Sequence, residues 1–438
     1  MTDADPIDYD PLSPASKVDS HTLFRSLRER CPVHHHVVPD SVREQLNENP
    51  YVARPTDQFW SVFRYGDVQE VLQDNDSFCS KDGIGPEWMA QLAPDGMLLW
   101  ADEPAHIRQR QIANKAFLPR MVETRRARIA QFVDDAIDAI AERGEAEVMA
   151  DFATKVTTSV IADIVGCADD RKDDLIRWGN ATIEAFGGDA EAVAGSFVAM
   201  QELFTFLLER IGERRAILGR GEQPPDDVLT SLIVADYHGS RFADEELLMA
   251  CHQLLVAGFE TTATAIANGI VLICGHPAER AKLEADPALW AGALEEILRY
   301  ESPVEGMFRV TRRDVELADC PIPAGSKVRY VLASANRDPA KFENPDEFRV
   351  DRDPAKVRQH VAFGSGSHAC IGSALARAEA RIALETIFHR LPGLRLASTP
   401  PERNPILIIN GYRTVHITWD LATVRPRADD AATATVTA

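Results

Sequence analysis

Phe363-Gly364-Ser365-Gly366-Ser367-His368-Ala369-Cys370-Ile371-Gly372 is the stretch whose reading decides the fold. One cysteine sits in a glycine-rich loop that runs straight into an amphipathic helical pattern from Ser373 to Leu391. Glycines let a backbone adopt positive φ and come close to a large flat partner. The helix N-terminus behind the loop points free N–H groups and a partial positive charge at the sulfur. Both effects favour thiolate over thiol. The competing reading is a structural cysteine buried in a Gly/Ser loop, which is what most free cysteines are.

The pattern Phe-x-x-Gly-x-x-x-Cys-x-Gly, with His368 inside it and Leu375-Ala376-Arg377 after it, resembles the haem-ligand loop of the cytochromes P-450. The resemblance implies that Cys370 is the axial thiolate ligand of haem iron. Further motifs extend it from about Pro11 to Trp419. Ala257-Gly258-Phe259-Glu260-Thr261-Thr262 places an acid and a hydroxyl side by side in an apolar helix, where both are costly without a use or a partner. A helical Thr can bond back to the carbonyl four residues earlier, here Ala257, and Gly258 would ease a bend. In the resembled family this pair lies over the distal face of the haem. Thr261 would hold dioxygen and its water, and Glu260 would relay protons from solvent. Taken alone, a self-bonded Thr and an exposed Glu is the commoner reading.

Glu296-Ile297-Leu298-Arg299 sets a carboxylate and a guanidinium on one helix face. It is similar to the family's Glu-x-x-Arg signature. Its third member lies in a later loop, here Asn336 to Arg352, with Arg352 in the third place. These three residues are expected to form a structural knot. Four residues match the family's haem-propionate contacts: His106 and Arg110, in Asp102 to Arg110, then Arg309 and His368. The segment reads Asp-Glu-Pro where the family more often has Asp-Pro-Pro.

The bulk composition agrees. The chain has 438 residues, a net charge of −21 and seven scattered cysteines without C-x-x-C or zinc spacing. That favours a reducing, cytoplasmic setting over a disulfide framework. The acidic balance argues against nucleic acid. No signal segment or membrane anchor is evident at the N-terminus, which fits a soluble bacterial-type member. Residues 1–20 and the Ala/Thr-rich tail 425–438 are expected to be loose, flanking one haem domain over 21–424.

Apolar residues three and four apart run from about Val122 to Gly292, and a single long helix is expected from Asp244 to Cys274. Strand-like alternation is confined to Phe59–Phe63, Lys327–Leu332 and Val415–Trp419. The fold class is therefore mainly α with small antiparallel β-sheets, and the resemblance implies the single-domain cytochrome P-450 fold. His34-His35-His36 reads as a strand edge, because consecutive side chains do not face one point.

The resemblance implies haem b (iron protoporphyrin IX) and a monooxygenase that inserts one atom of O2 into an organic substrate. Apolar stretches at Trp88-Met89, Leu92, Met97 to Trp100, Val304, Met307-Phe308 and Leu407 to Ile409 suit a hydrophobic terpenoid, steroid, fatty acyl or aromatic substrate. No Rossmann fingerprint is evident, so electrons are expected from a ferredoxin and its NAD(P)H-dependent reductase. A basic patch including Lys115, Arg358 or Arg377 would receive the ferredoxin. A peroxygenase or isomerase, and a non-catalytic haem sensor, are the alternatives.

Overall fold

The computed structural model describes residues 9–11, 13–37, 58–81, 98–117, 119–166, 171–184 and 190–427. Its helices of seven or more residues are α1 (Ser20–Arg30), α2 (Tyr65–Gln73), α3 (Ala105–Asn114), α4 (Pro119–Ala141), α5 (Thr154–Ile164), α6 (Lys172–Glu184), α7 (Ala190–Gly219), α8 (Val228–Val234), α9 (Asp244–Gly275), α10 (Pro277–Ala285), α11 (Trp290–Tyr300) and α12 (Ser373–Arg390). The main sheet uses β1 (Val33–Val37), β2 (Gln58–Val62), β3 (Phe78–Cys79), β5 (Met307–Thr311) and β8 (Lys327–Tyr330), in the order β1-β2-β8-β5-β3. A second sheet includes β4 (Glu145–Glu147), and β6 (Val315–Leu317) pairs with β7 (Cys320–Ile322).

The long central helix forms as its pattern predicts. Asp244, Glu245 and Glu246 fill its first turn, and the Glu246 carboxylate accepts the Ala243 N–H at 2.8 Å. Acids there oppose the helix dipole and satisfy an otherwise open donor. By length and composition α9 could cross a membrane, yet 72% of its most apolar window is buried within the protein. It is the core helix. Ala263, Ile266 and Ile270 of α9 and Leu384 and Ile387 of α12 share one core with Val156 and Val160 of α5. Gly269 permits the approach of α12, since a Cβ there would meet Leu384 at 2.7 Å. Gly258 does the same for α5, with Ile161 at 2.5 Å from a Cβ. Its role is thus close packing, while α9 runs unbroken past it.

The sheet has its own core, including Val62, Val68, Phe78, Val328 and Leu332. Most pairings are antiparallel, as expected, but β2 pairs with β8 in parallel, Phe59 opposite Lys327. A parallel pair needs a long crossover, and most of the helical domain lies between these strands. β3 is one edge strand and β1 the other. Its histidines split between faces: His35 stacks on Trp60 at 4.5 Å, and His36 on Phe59 at 4.6 Å. Among the described residues no cluster of His, Cys, Asp or Glu could hold a metal ion.

The ends differ from expectation where they are described. Tyr9 and Lys17 are buried rather than loose. Glu305 takes Lys17 at 2.6 Å and Arg329 at 2.6 Å, and Arg329 donates to the Tyr9 hydroxyl at 2.8 Å. At the other end Arg427 pairs with Asp135 at 2.7 Å. Ion pairs between distant segments, buried at Lys17 and partly exposed at Arg427, overrode the polar composition.

Candidate active site

One cavity of about 380 Å³ takes its wall from the Cys370 loop, from α9 and from β5. Cys370 is placed by its loop. Its N–H donates to the Phe363 carbonyl at 2.8 Å, and α12 starts three residues later. Gly364 and Gly366 both take φ of +70, and a Cβ at Gly366 would sit 2.7 Å from the Leu72 carbonyl. No other residue fits that position without moving α2. Burial pushes the Cys370 thiol upward, while the Gly372 N–H, Arg110, Arg377 and the Ser373 N–H pull it down. The net direction is up, contrary to the expectation that the loop alone would favour thiolate. The positive charge of a bound metal, which deprotonates a coordinating thiol, is needed to reverse it.

On α9, Thr261 donates its hydroxyl to the Ala257 carbonyl at 2.8 Å, the back-bond that the sequence predicts. Glu260 is buried, not exposed, and burial raises its carboxyl to about 6. Both line the cavity with Cys370, Arg110, Arg309 and His368.

Arg309 comes from β5 and is buried, with its Nε lacking a partner. Arg110 comes from α3, where its Nε donates to Asn114 at 3.1 Å. His368 is held by Ser80 Oγ at 3.0 Å. The His106 ring stacks on His368 at 3.9 Å, its Nδ1 lies 3.4 Å from Glu103, and its buried Nε2 has no partner. Burial lowers both imidazoles, and Arg309 lowers His368 further. His106 thus reaches the site through His368. A thiol, two cavity-facing guanidiniums and an orphaned buried donor on Arg309 fit a flat group carrying a metal and two carboxylates.

The knot forms as expected. Glu296 accepts from Arg299 Nε at 2.7 Å and Nη2 at 2.8 Å, from Arg352 Nε at 2.8 Å, and from the Arg349 N–H at 3.0 Å. Arg299 also reaches the carbonyls of Asn336 and Pro345. It stands outside the cavity wall and braces the loops that carry it.

The apolar lining is partly as expected: Leu98, Leu99, Trp100, Val304, Met307, Ile408 and Ile409 face the cavity. Trp88, Met89, Leu92 and Met97 lie outside the described residues. Phe308 faces Phe59 instead, at 5.6 Å, because strand neighbours point to opposite sides. Three acidic residues and one histidine escaped the sequence reading. Glu295 gathers His360 at 2.9 Å and Arg377 at 2.7 Å, and Glu301 gathers Arg403 at 2.5 Å. Glu379, whose carboxyl burial raises far above its usual range, lines the cavity, and so does His252. Acids inside helical patterns otherwise apolar, at Glu295 and Glu379, were the available signal.

A helix-dominated fold built around a thiol, a distal acid–alcohol pair and a cationic rim defines a haem-thiolate oxygenase class. The family model described as Cytochrome P450 matches residues 32–287 and 289–405. Cytochrome P450 107B1 of Saccharopolyspora erythraea is 39% identical over 355 residues, covering 78% of this chain and 84% of that protein. Cytochrome P450 monooxygenase PikC of Streptomyces venezuelae is 35% identical over 422 residues, covering 94% of each. The crystal structure of CYP109E1 from Bacillus megaterium in complex with testosterone superposes with a TM-score of 0.78 at 27% identity, covering 91% of this chain and 99% of that one. The chain belongs to the cytochrome P450 family. Its cofactor is accordingly haem, and its activity that of a monooxygenase.

Proposed function

We propose that this monooxygenase inserts one oxygen atom of O2 into a hydrophobic substrate of steroid-like size, with electrons from separate proteins. The observation that carries this reading is the meeting of Cys370, Glu260, Thr261 and a cationic rim on one largely apolar cavity. The testosterone complex of a structural relative supports the substrate size. Spectral titration of the purified protein with steroids and with macrolides tests it, and no spin-state shift with either would refute the substrate class.

Haem, when bound, supplies the reductive activation of dioxygen. Cys370 is its thiolate ligand. Arg110, Arg309 and His368, with His106 behind it, hold its propionates. Glu296, Arg299 and Arg352 brace the fold. Thr261 donates its hydroxyl hydrogen bond to the Ala257 carbonyl, so its oxygen lone pairs remain free to accept a hydrogen bond from a ligand in the cavity. Glu260, at about 6, is close enough to neutrality to gain and lose a proton at its carboxylate oxygens. Beside Thr261 on the same cavity wall, it would hold that proton next to the bound cofactor.

Glu260→Gln is expected to lower kcat about 10²-fold with substrate binding unchanged, since a positioned acid contributes at least that much. The same variant is expected to be more stable. The folded carboxyl stands at about 6 against 4.5 for an ordinary one. Below 4.5 both states are protonated and nothing is gained. Above 6 the wild type carries the full burden of a buried charge, roughly 2 kcal/mol, which glutamine lacks. Unfolding of both proteins at two pH values checks the sign.

The electron donor is a ferredoxin served by an NAD(P)H-dependent reductase. Lys115 and Arg358 are exposed, Arg358 with Glu295 3.6 Å away, whereas Arg377 is held more closely by Glu295 at 2.7 Å and lies over Phe363 at 4.3 Å. Reversing Lys115 and Arg358 together to Glu is expected to slow reduction about tenfold at low salt and little at high salt. An unchanged rate would sink this docking face. A cytoplasmic location follows from the same reading. A peroxygenase would need no proton relay, and turnover on peroxide without O2 or an electron donor would favour it.

A further inference from the structure

The roof of the cavity, where α6, α7 and α9 meet, carries a polar feature that the chemistry above does not use. His252 on α9 lines the cavity and is 2% exposed, and neither Nδ1 nor Nε2 has a hydrogen-bond partner. It meets the Phe204 ring edge-on at 5.4 Å. Around it the wall includes Ser196, Met200 and Leu255, with Thr182 already donating to the Trp178 carbonyl at 2.9 Å. Leaving a buried imidazole nitrogen unpaired costs on the order of 1–3 kcal/mol. A phenylalanine or leucine would fill this place without that cost.

Burial pulls the imidazole down to about 4, so it is neutral at pH 7, with one nitrogen a donor and the other an acceptor. A carboxylate can meet only the N–H of a neutral ring and has nothing to offer the other nitrogen. A hydroxyl, which both donates and accepts, suits either nitrogen. Thr261 stands nine residues further along the same helix, about 13 Å of axis at ~1.5 Å per residue. Between them α9 lines the cavity with Leu254, Leu255, Val256, Ala257 and Gly258, an apolar stretch bounded by Gln253 beside His252 and by Glu260 beside Thr261.

Resting on the monooxygenase reading, we propose that His252 anchors the substrate through a hydroxyl group on one end of an elongated apolar molecule, presenting the other end for oxidation near Thr261. The substrate class is thus narrowed to long hydrophobic alcohols, such as hydroxysteroids or fatty alcohols. His252 is a specificity-determining residue and takes no part in the oxidation.

The test uses the haem-loaded protein and two matched pairs of probes: dodecanol with dodecane, and androstanol with androstane. The spin-state shift of each is titrated in the wild type, in His252→Phe and in His252→Gln. The wild type should bind at least one alcohol about tenfold tighter than its alkane, the effect of one net hydrogen bond. His252→Phe keeps the packing on Phe204 and should bring that ratio to about one. His252→Gln should restore part of the preference. A wild type that responds equally to alcohol and alkane, or to no probe, overturns the proposal, as does a preference that survives in His252→Phe. The reduced, carbon monoxide-bound spectrum of each variant keeps the two readings apart. It stays at the thiolate position if only the anchor is wrong, and departs from it if the haem assignment itself fails.

Discussion

Cys370→Ser is expected to remove the long-wavelength Soret band of the reduced, carbon monoxide-bound protein and to abolish turnover. The loop survives the exchange, because what shapes it is backbone: the Cys370 N–H on Phe363, the positive φ of Gly364 and Gly366, and the start of α12. What is lost is the anion. Burial already disfavours charge on this side chain, and the neighbouring Gly372 N–H, Arg110 and Arg377 only partly compensate. A thiol can still be drawn to the thiolate by a metal. A serine hydroxyl is far more basic as its alkoxide and remains a weak neutral ligand in the same place. Without the thiolate's electron donation, activation of dioxygen loses its push. The measurement is the carbon monoxide difference spectrum, with haem content assayed on the same sample. A band that persists at the thiolate position in Cys370→Ser would show that another group is the ligand.

The parts of the site visible in the sequence are those whose geometry is local. Cys370, its glycines and the following helix are adjacent in the chain, and so are Glu260 and Thr261 on one turn. The Thr261 back-bond to Ala257 follows from helix geometry alone. Arg352 was found only through the spacing of the resembled family, since it meets Glu296 across 56 residues. The knots around Glu301 and Glu305 tie His21 and Lys17 at one end of the chain to acids near its middle, at 3.1 and 2.6 Å. No local pattern reports such a pairing. The same blindness produced the expectation of a loose N-terminus. Phe308 was a different kind of miss. Met307 and Arg309 face the cavity, so strand alternation already required their neighbour to face away.

Glu296→Gln has the second large effect, and it falls on stability, not chemistry. Glu296 and Arg299 are wholly buried, and the carboxylate is shared with Arg352, whose side chain is 12% exposed. Removing the charge leaves two guanidiniums facing a neutral amide whose N–H₂ group can only donate. One buried cation then has no anion, and losing one partner of such a pair costs roughly 3–5 kcal/mol. That is a large share of the ~5–15 kcal/mol that holds a typical protein folded. Arg299→Ala should be as severe, because it strands Glu296 and the carbonyls of Asn336 and Pro345 as well. Arg352→Ala should be milder. Arg352 is nearer solvent, water can reach the carbonyls of Glu343, Asn344 and Glu347 that it releases, and Arg299 still covers the carboxylate. Denaturant unfolding of the haem-loaded proteins gives the order, with Glu296→Gln and Arg299→Ala far below Arg352→Ala. Among molecules of Arg352→Ala that retain haem, turnover per haem should match the wild type, because the knot touches neither cavity nor substrate. Glu296→Gln within about 1 kcal/mol of the wild type would mean that the triad is not a structural keystone. A fall in turnover per haem without loss of stability would mean that it acts on the reaction itself.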